Sequence, residues 1–178
     1  MADAYGRHAI NCRFGGRRVR LHGGVCDALA DARRSLGISS SREVVVSSLA
    51  TPSLQQPRID INMDLNASVS RTLLDVCIHD VASSLLHRAE DKKFAKYRNQ
   101  DPRLHRNQLR VTGLAMNLHG HTGPNFQAHL DMLARRSSTS RQCAGSTSGF
   151  MNHTTMNRLY SSISVLLMRF KASAISTC

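Results

Sequence analysis

A chain of 178 residues with 24 Lys and Arg against 12 Asp and Glu carries a formal charge of +12. That charge calls for a polyanionic partner, with nucleic acid first in line, while the length suits one domain and leaves no room for a polymerase module. The five cysteines form an odd set without a Cys-x-x-Cys pair, which argues against a disulfide scaffold and for a reducing, intracellular setting; with no signal-like or membrane-spanning apolar run, no membrane partner is expected.

Along the chain, Val25, Ala28, Leu29, Ala32 and Leu36 recur at helical spacing before Gly37. This predicts a helix over His22 to Leu36 with Arg33 and Arg34 turned outward. The β-branched run REVVVSS follows as a strand, and SLATPSLQQP, with two prolines, reads as a loop. In RIDINM, Ile59, Ile61 and Met63 alternate with Asp60 and Asn62; in TLLDVCI, Leu74, Val76 and Ile78 alternate with Asp75 and Cys77. Both patterns are strands, joined closely enough to be antiparallel, and period-two geometry lets Asp60 and Asp75 project from one face if the register permits.

From Val81 to Tyr97 the spacing is helical, and Leu86, Ala89, Lys93 and Tyr97 share a face. Lys93 is therefore expected on the inward stripe, with Arg88, Lys92 and Lys96 outside. QLRVTGLAMNL reads as a further strand and GPNFQAHLDMLARR as a helix. SSTSRQCAGSTSG reads as a flexible polar loop, and Met156, Leu159, Ile163, Leu166, Leu167 and Phe170 define a last amphipathic helix. The order α, β, β, β, α, β, α, α implies an α/β fold, a mixed sheet flanked by helices. The expected divisions are an N-terminal segment at 1–21, a core at 22–136, a flexible polar loop at 137–150 and a C-terminal helix at 151–178 packing on the core.

Two carboxylates on adjacent strands with a lysine on the next helix match the needs of metal-dependent phosphodiester hydrolysis. Acids hold a divalent cation, and a lysine offsets phosphate charge or orients water. Strand-end aspartates beside a snorkelling lysine produce the same pattern without any activity.

A wider pattern is carried by YGRHAINC, RLHGGVCDAL, RIDI, RTLLDVCI, DKKFAKY, VTGLAMNLHGHTGPNFQAHLDMLA and LYSSISVLLMRFKASAI, in that order. It resembles the restriction-like endonuclease region of site-specific non-LTR retrotransposons and related reverse-transcriptase-associated open reading frames, a branch of the PD-(D/E)XK superfamily. The resemblance implies a restriction-endonuclease-like core in which Asp60 and Asp75 bind Mg²⁺ or Mn²⁺. It also implies that Lys93 positions water or the scissile phosphate, that Tyr97 supports it, and that Glu43 is an auxiliary acid. Ile59 stands where the family has proline, and the superfamily lysine position falls on Cys77, its role moved to the Lys-x-x-x-Tyr of Lys93 and Tyr97.

His8 and Cys12 resemble the latter half of the family's zinc knuckle. Two ligands cannot close a tetrahedral site, so zinc is not expected there. Arg17, Arg18, Arg20, His22, Arg33, Arg34, Arg135 and Arg136 are the expected phosphate contacts. The resemblance thus implies a DNA endonuclease of nuclear location, associated with a reverse transcriptase module outside this chain and open to homodimerisation. The alternatives are a decayed nuclease fold that binds nucleic acid without cutting, or a non-functional fragment of a retroelement reading frame.

Overall fold

The computed structural model describes residues 16–45, 58–64, 71–98, 109–143 and 148–175. Helix α1 (Arg17–Ser35) precedes strands β1 (Ser39–Val45), β2 (Arg58–Asp64) and β3 (Arg71–His79). Helix α2 (Leu86–Arg98) leads into β4 (Leu109–Asn117), followed by α3 (Pro124–Cys143) and α4 (Ser148–Ile175). The result is the expected α/β arrangement: a four-stranded mixed sheet in the order β1-β2-β3-β4, flanked by helices. β1–β2 and β2–β3 are antiparallel, whereas β3–β4 is parallel with α2 as its crossover.

One sheet face carries the main core. Val25, Cys26 and Leu29 of α1, Phe126 and Leu130 of α3, and Leu159, Ile163 and Phe170 of α4 close over Ile61, Leu74, Val76, Leu114 and Met116. The opposite face belongs to α2, where Tyr97 packs on Ile59, Leu73 and Val111, and Leu86 packs on Cys77 and Ala115. Apolar residues at helical spacing on α1, α2 and α4 meet apolar residues at alternate strand positions, which is the sense of the two periodicities.

The alternation breaks once. Ile61 belongs to the α1 face, yet Ile59, two residues earlier, belongs to the α2 face. On the neighbouring strand Arg42 reaches α1 at Gly23 and Asp27, while Val44 packs on the α2 side. Between these pairs stand Asp60 on β2 and Glu43 on β1, and Glu43 has φ 51, the sole positive φ of a non-glycine among the described residues. Both strands therefore turn over at this point, and the β2–β3 ladder ends at Ile61–Leu74, just before Asp60 and Asp75 would pair.

Two boundaries differ from the sequence expectation. α1 begins at Arg17, so His22 lies inside the helix rather than at its start. α3 runs to Cys143 and α4 starts at Ser148, so the stretch 137–150 is helical apart from residues 144–147, which lie outside the described set. Ser, Thr, Arg and Gln disfavour a helix only mildly, so polar composition alone does not break one. No helix among the described residues is long and apolar enough to cross a membrane.

Candidate metal and acid site

Because β2 and β3 part after Ile61–Leu74, the Asp60 side chain takes the place of the missing ladder bond. Its Oδ2 accepts the Val76 N–H at 2.7 Å. The same oxygen meets His22 Nε2 of α1 at 3.2 Å, and His22 Nε2 also lies 3.1 Å from the Val76 carbonyl. One helical turn on, Cys26 Sγ lies 3.9 Å from His22 Nε2. The donor atoms of His22, Cys26 and Asp60 all fall within 4.8 Å of one another, a group that can hold a metal ion.

Asp75 projects to the other face, where it is 4% exposed. Lys93 Nζ donates to its Oδ1 at 2.7 Å and the Tyr97 hydroxyl donates to its Oδ2 at 2.9 Å. Lys93 and Tyr97 stand one turn apart on α2, so a single helix face delivers both donors to one carboxylate. The sequence expectation that Lys93 points inward is met in this contact. The expectation that period-two geometry aligns the acids on one face is not: Asp60 lies toward α1 and Asp75 toward α2, and they approach through the gap between the strands.

Electrostatics follow from that gap. Burial pushes Asp60 up, but the hydrogen bond and charge of His22, the Val76 N–H and a hydrogen bond with Asp75 outweigh it and leave Asp60 below the ordinary carboxyl value. Burial, with the Asp60 charge added, holds Asp75 above that value even against Lys93 and Tyr97. Burial disfavours the Lys93 ammonium, yet the Asp75 charge and hydrogen bond raise it overall. The Asp60 hydrogen bond, then that of Cys26, lifts His22 to about 10, so its imidazolium is a resident cation beside Asp60.

Two glycines and one buried acid hold α2 in place. Gly113 of β4 is paired with Asp75; a Cβ there would sit 2.7 Å from the Glu90 carbonyl and 2.8 Å from Lys93 Cβ. The bare backbone lets α2 press close enough for Lys93 to reach Asp75. Glu90, fully buried, accepts the N–H groups of Ala115, Phe126 and Asn125 at 3.1, 3.0 and 2.9 Å. It thereby satisfies two donors in the first turn of α3, and Gly123 leaves the room it needs, since a Cβ there would lie 2.4 Å from Glu90 Oε1.

The remaining expected residues separate. Glu43 lies on β1 between Arg42 and Val44, and its exposed side chain stands 3.9 Å from the guanidinium of Arg42. Arg33, expected outward for phosphate, is fully buried instead. Its Nη2 and Nε lie 2.8 and 3.2 Å from His129 Nε2 of α3, a contact 96 residues along the chain that no local spacing announces. Burial, then the Arg33 charge, pushes His129 down to about 3, so it accepts as a neutral ring. His22, another expected phosphate contact, lies at the acid site beside Asp60 with its side chain 32% exposed.

Arg34 is exposed and pairs with Asp31, Arg18 is exposed and donates to the Ile78 carbonyl at 2.9 Å, and Arg20, Arg135 and Arg136 are exposed. Arg17 lies in the first turn of α1, whereas His8 and Cys12 lie outside the described residues. Beside Lys93, a cavity of about 370 Å³ is walled in part by His79, Arg88 and Lys92.

Sequence reasoning missed Cys26, Glu90, Gly113 and the partnership of Arg33 with His129. The His22–Cys26 spacing of one helical turn was a legible signal, as was a glycine inside a strand; nothing local marks Arg33 as buried. No family model and no curated protein matches the chain.

Proposed function

We propose that the chain is a metal-dependent DNA endonuclease with a restriction-endonuclease-like core, of the kind associated with non-LTR retrotransposons, acting on nuclear DNA beside a reverse transcriptase module. The observation that carries this reading is the meeting of Asp60, Asp75, Lys93 and Tyr97 where β2 and β3 part, with Lys93 Nζ 2.7 Å from Asp75. Two acids from adjacent strands can hold a metal for phosphodiester hydrolysis, and a lysine from the following helix can offset phosphate charge or orient water.

The donors suit Mg²⁺ or Mn²⁺. Asp60, Asp75 and the Val76 carbonyl offer hard oxygens, and the His22 Nε2 contacts at 3.2 and 3.1 Å already place a cation against two of them. Asp60 and Asp75 would hold the metal, which when bound supplies an acidified water and charge for the phosphate. Lys93, raised by Asp75 and therefore charged at neutral pH, neutralises the second acid and presents its remaining protons to a phosphate oxygen. Tyr97 fixes the Asp75 carboxylate from the buried side. Arg88 and Lys92, on the cavity wall next to Lys93, extend a positive track for the backbone.

A second reading, a decayed nuclease that binds DNA without cutting, draws on the low exposure of Asp75 and the occupation of both its oxygens. The test is nicking of supercoiled plasmid with Mg²⁺ or Mn²⁺, beside Asp60→Ala and Asp75→Ala. Metal-dependent nicking lost in both variants supports the nuclease. Salt-sensitive binding without nicking, unchanged by the substitutions, overturns it in favour of the binding-only protein.

A further inference from the structure

We infer that His22, Cys26 and Asp60 form a separate site for a thiophilic divalent ion such as Zn²⁺, and that this ion withdraws Asp60 from the acid pair. The metal-binding half stands on geometry alone; the inhibitory half rests on the endonuclease reading.

Three donors of different type converge from two elements. His22 and Cys26 lie four residues apart on α1 and face the same way, while Asp60 comes from the strand that turns over beneath them. His22 Nε2 is 3.2 Å from Asp60 Oδ2 and 3.9 Å from Cys26 Sγ. Ligand bonds of ordinary zinc length, at tetrahedral angles, place N and O about 3.3 Å apart and N and S about 3.6 Å apart. The first edge is therefore nearly formed and the second closes by a few tenths of an ångström. The third edge, no longer than 4.8 Å, closes by rotating the Cys26 thiol or the Asp60 carboxylate.

A nitrogen, a sulfur and one carboxylate oxygen are the donor set of zinc or cobalt, whereas magnesium takes oxygen. Binding sends the Cys26 Sγ proton, and the proton His22 Nε2 carries as imidazolium, to solvent. Water fills the fourth position. The partly exposed His22 and Asp60 side chains, at 32% and 19%, provide the way in to a thiol that is itself buried. Once Asp60 is engaged on the α1 side, its carboxylate is no longer free to share an ion with Asp75 on the α2 side, so the two metal sites compete for one residue.

The test is a Co²⁺ titration of the full chain after chelation, read by the thiolate-to-cobalt charge-transfer band and the intensity of the d–d bands. A stoichiometric band is expected in wild type, kept in Cys77→Ser and Cys12→Ser and lost in Cys26→Ser. His22→Gln is the second variant should Cys26→Ser not fold, and loss of the band is expected there too. Absence of the band, or its survival in Cys26→Ser or His22→Gln, overturns the site.

For the competitive half, stoichiometric Zn²⁺ should suppress Mg²⁺-dependent nicking at least tenfold in wild type. Cys26→Ser, normalised to its own zinc-free rate, should need at least tenfold more zinc. Equal sensitivity would show that zinc acts at the acid pair and would overturn the competition. If no protein nicks in Mg²⁺ or Mn²⁺, the endonuclease reading fails and the competition with it, while the cobalt band still decides the site.

Discussion

Asp75 of β3 and Gly113 of β4 are partners in the parallel ladder, and it is the missing side chain of Gly113 that lets Lys93 reach Asp75. Gly113→Ala forces its Cβ into the Glu90 carbonyl and Lys93 Cβ. Overpacking of this kind costs about 1–3 kcal/mol, which for a chain of this size lowers Tm by roughly 2–12 °C. Displacement of α2 should also reduce nicking more than the stability loss explains. Thermal denaturation followed by nicking below the transition tests both; an unchanged Tm would show that α2 can move away without resistance.

Lys93 and Tyr97 hold the same carboxylate but differ in exposure, so their substitutions should differ in kind. Lys93→Met removes the cation proposed to meet the phosphate and is expected to lower nicking by about 100-fold or more. Tyr97→Phe leaves the buried Asp75 Oδ2 without its donor and should cost about 1–3 kcal/mol of stability with a smaller loss of nicking. Paired measurement of nicking rate and urea midpoint separates them. A larger rate loss in Tyr97→Phe than in Lys93→Met would contradict the assigned roles.

The contact between Arg33 and His129 predicts a specific acid sensitivity. His129 is held down to about 3 in the folded chain against an ordinary 6.5. The unfolded state therefore binds an extra proton between those values, and stability present above about pH 6.5 falls as the pH drops toward 3. His129→Gln keeps an acceptor for Arg33 but does not titrate. Urea midpoints from pH 7 to 4 should show wild type losing ground to His129→Gln, and parallel curves would show that His129 does not carry the effect.

Buried and exposed arginines should part in DNA binding. Arg88→Ala and Lys92→Ala are each expected to weaken binding and to reduce the slope of log K against log salt by about 1. Arg33→Met should lower stability while leaving that slope unchanged, since the guanidinium is fully buried against α3. Fluorescence anisotropy with a DNA duplex across a salt series reads both; a reduced slope in Arg33→Met would mean that Arg33 reaches solvent when DNA binds.

Much of this molecule was legible along the chain, because each element's apolar period reports its own buried stripe. Leu86, Ala89, Lys93 and Tyr97 share one stripe in sequence and one face in the fold, and the order of helices and strands implies the mixed sheet that is found. Periodicity is silent about what lies opposite a face or between elements. Only the tertiary structure turned β1 and β2 over at Glu43 and Asp60, brought His22 and Cys26 to that aspartate, buried Arg33 against His129 and set Glu90 against the first turn of α3. The hydrogen bonds among these join groups 35 to 96 residues apart, settled by packing and hydrogen-bond satisfaction across the whole core rather than by any local spacing.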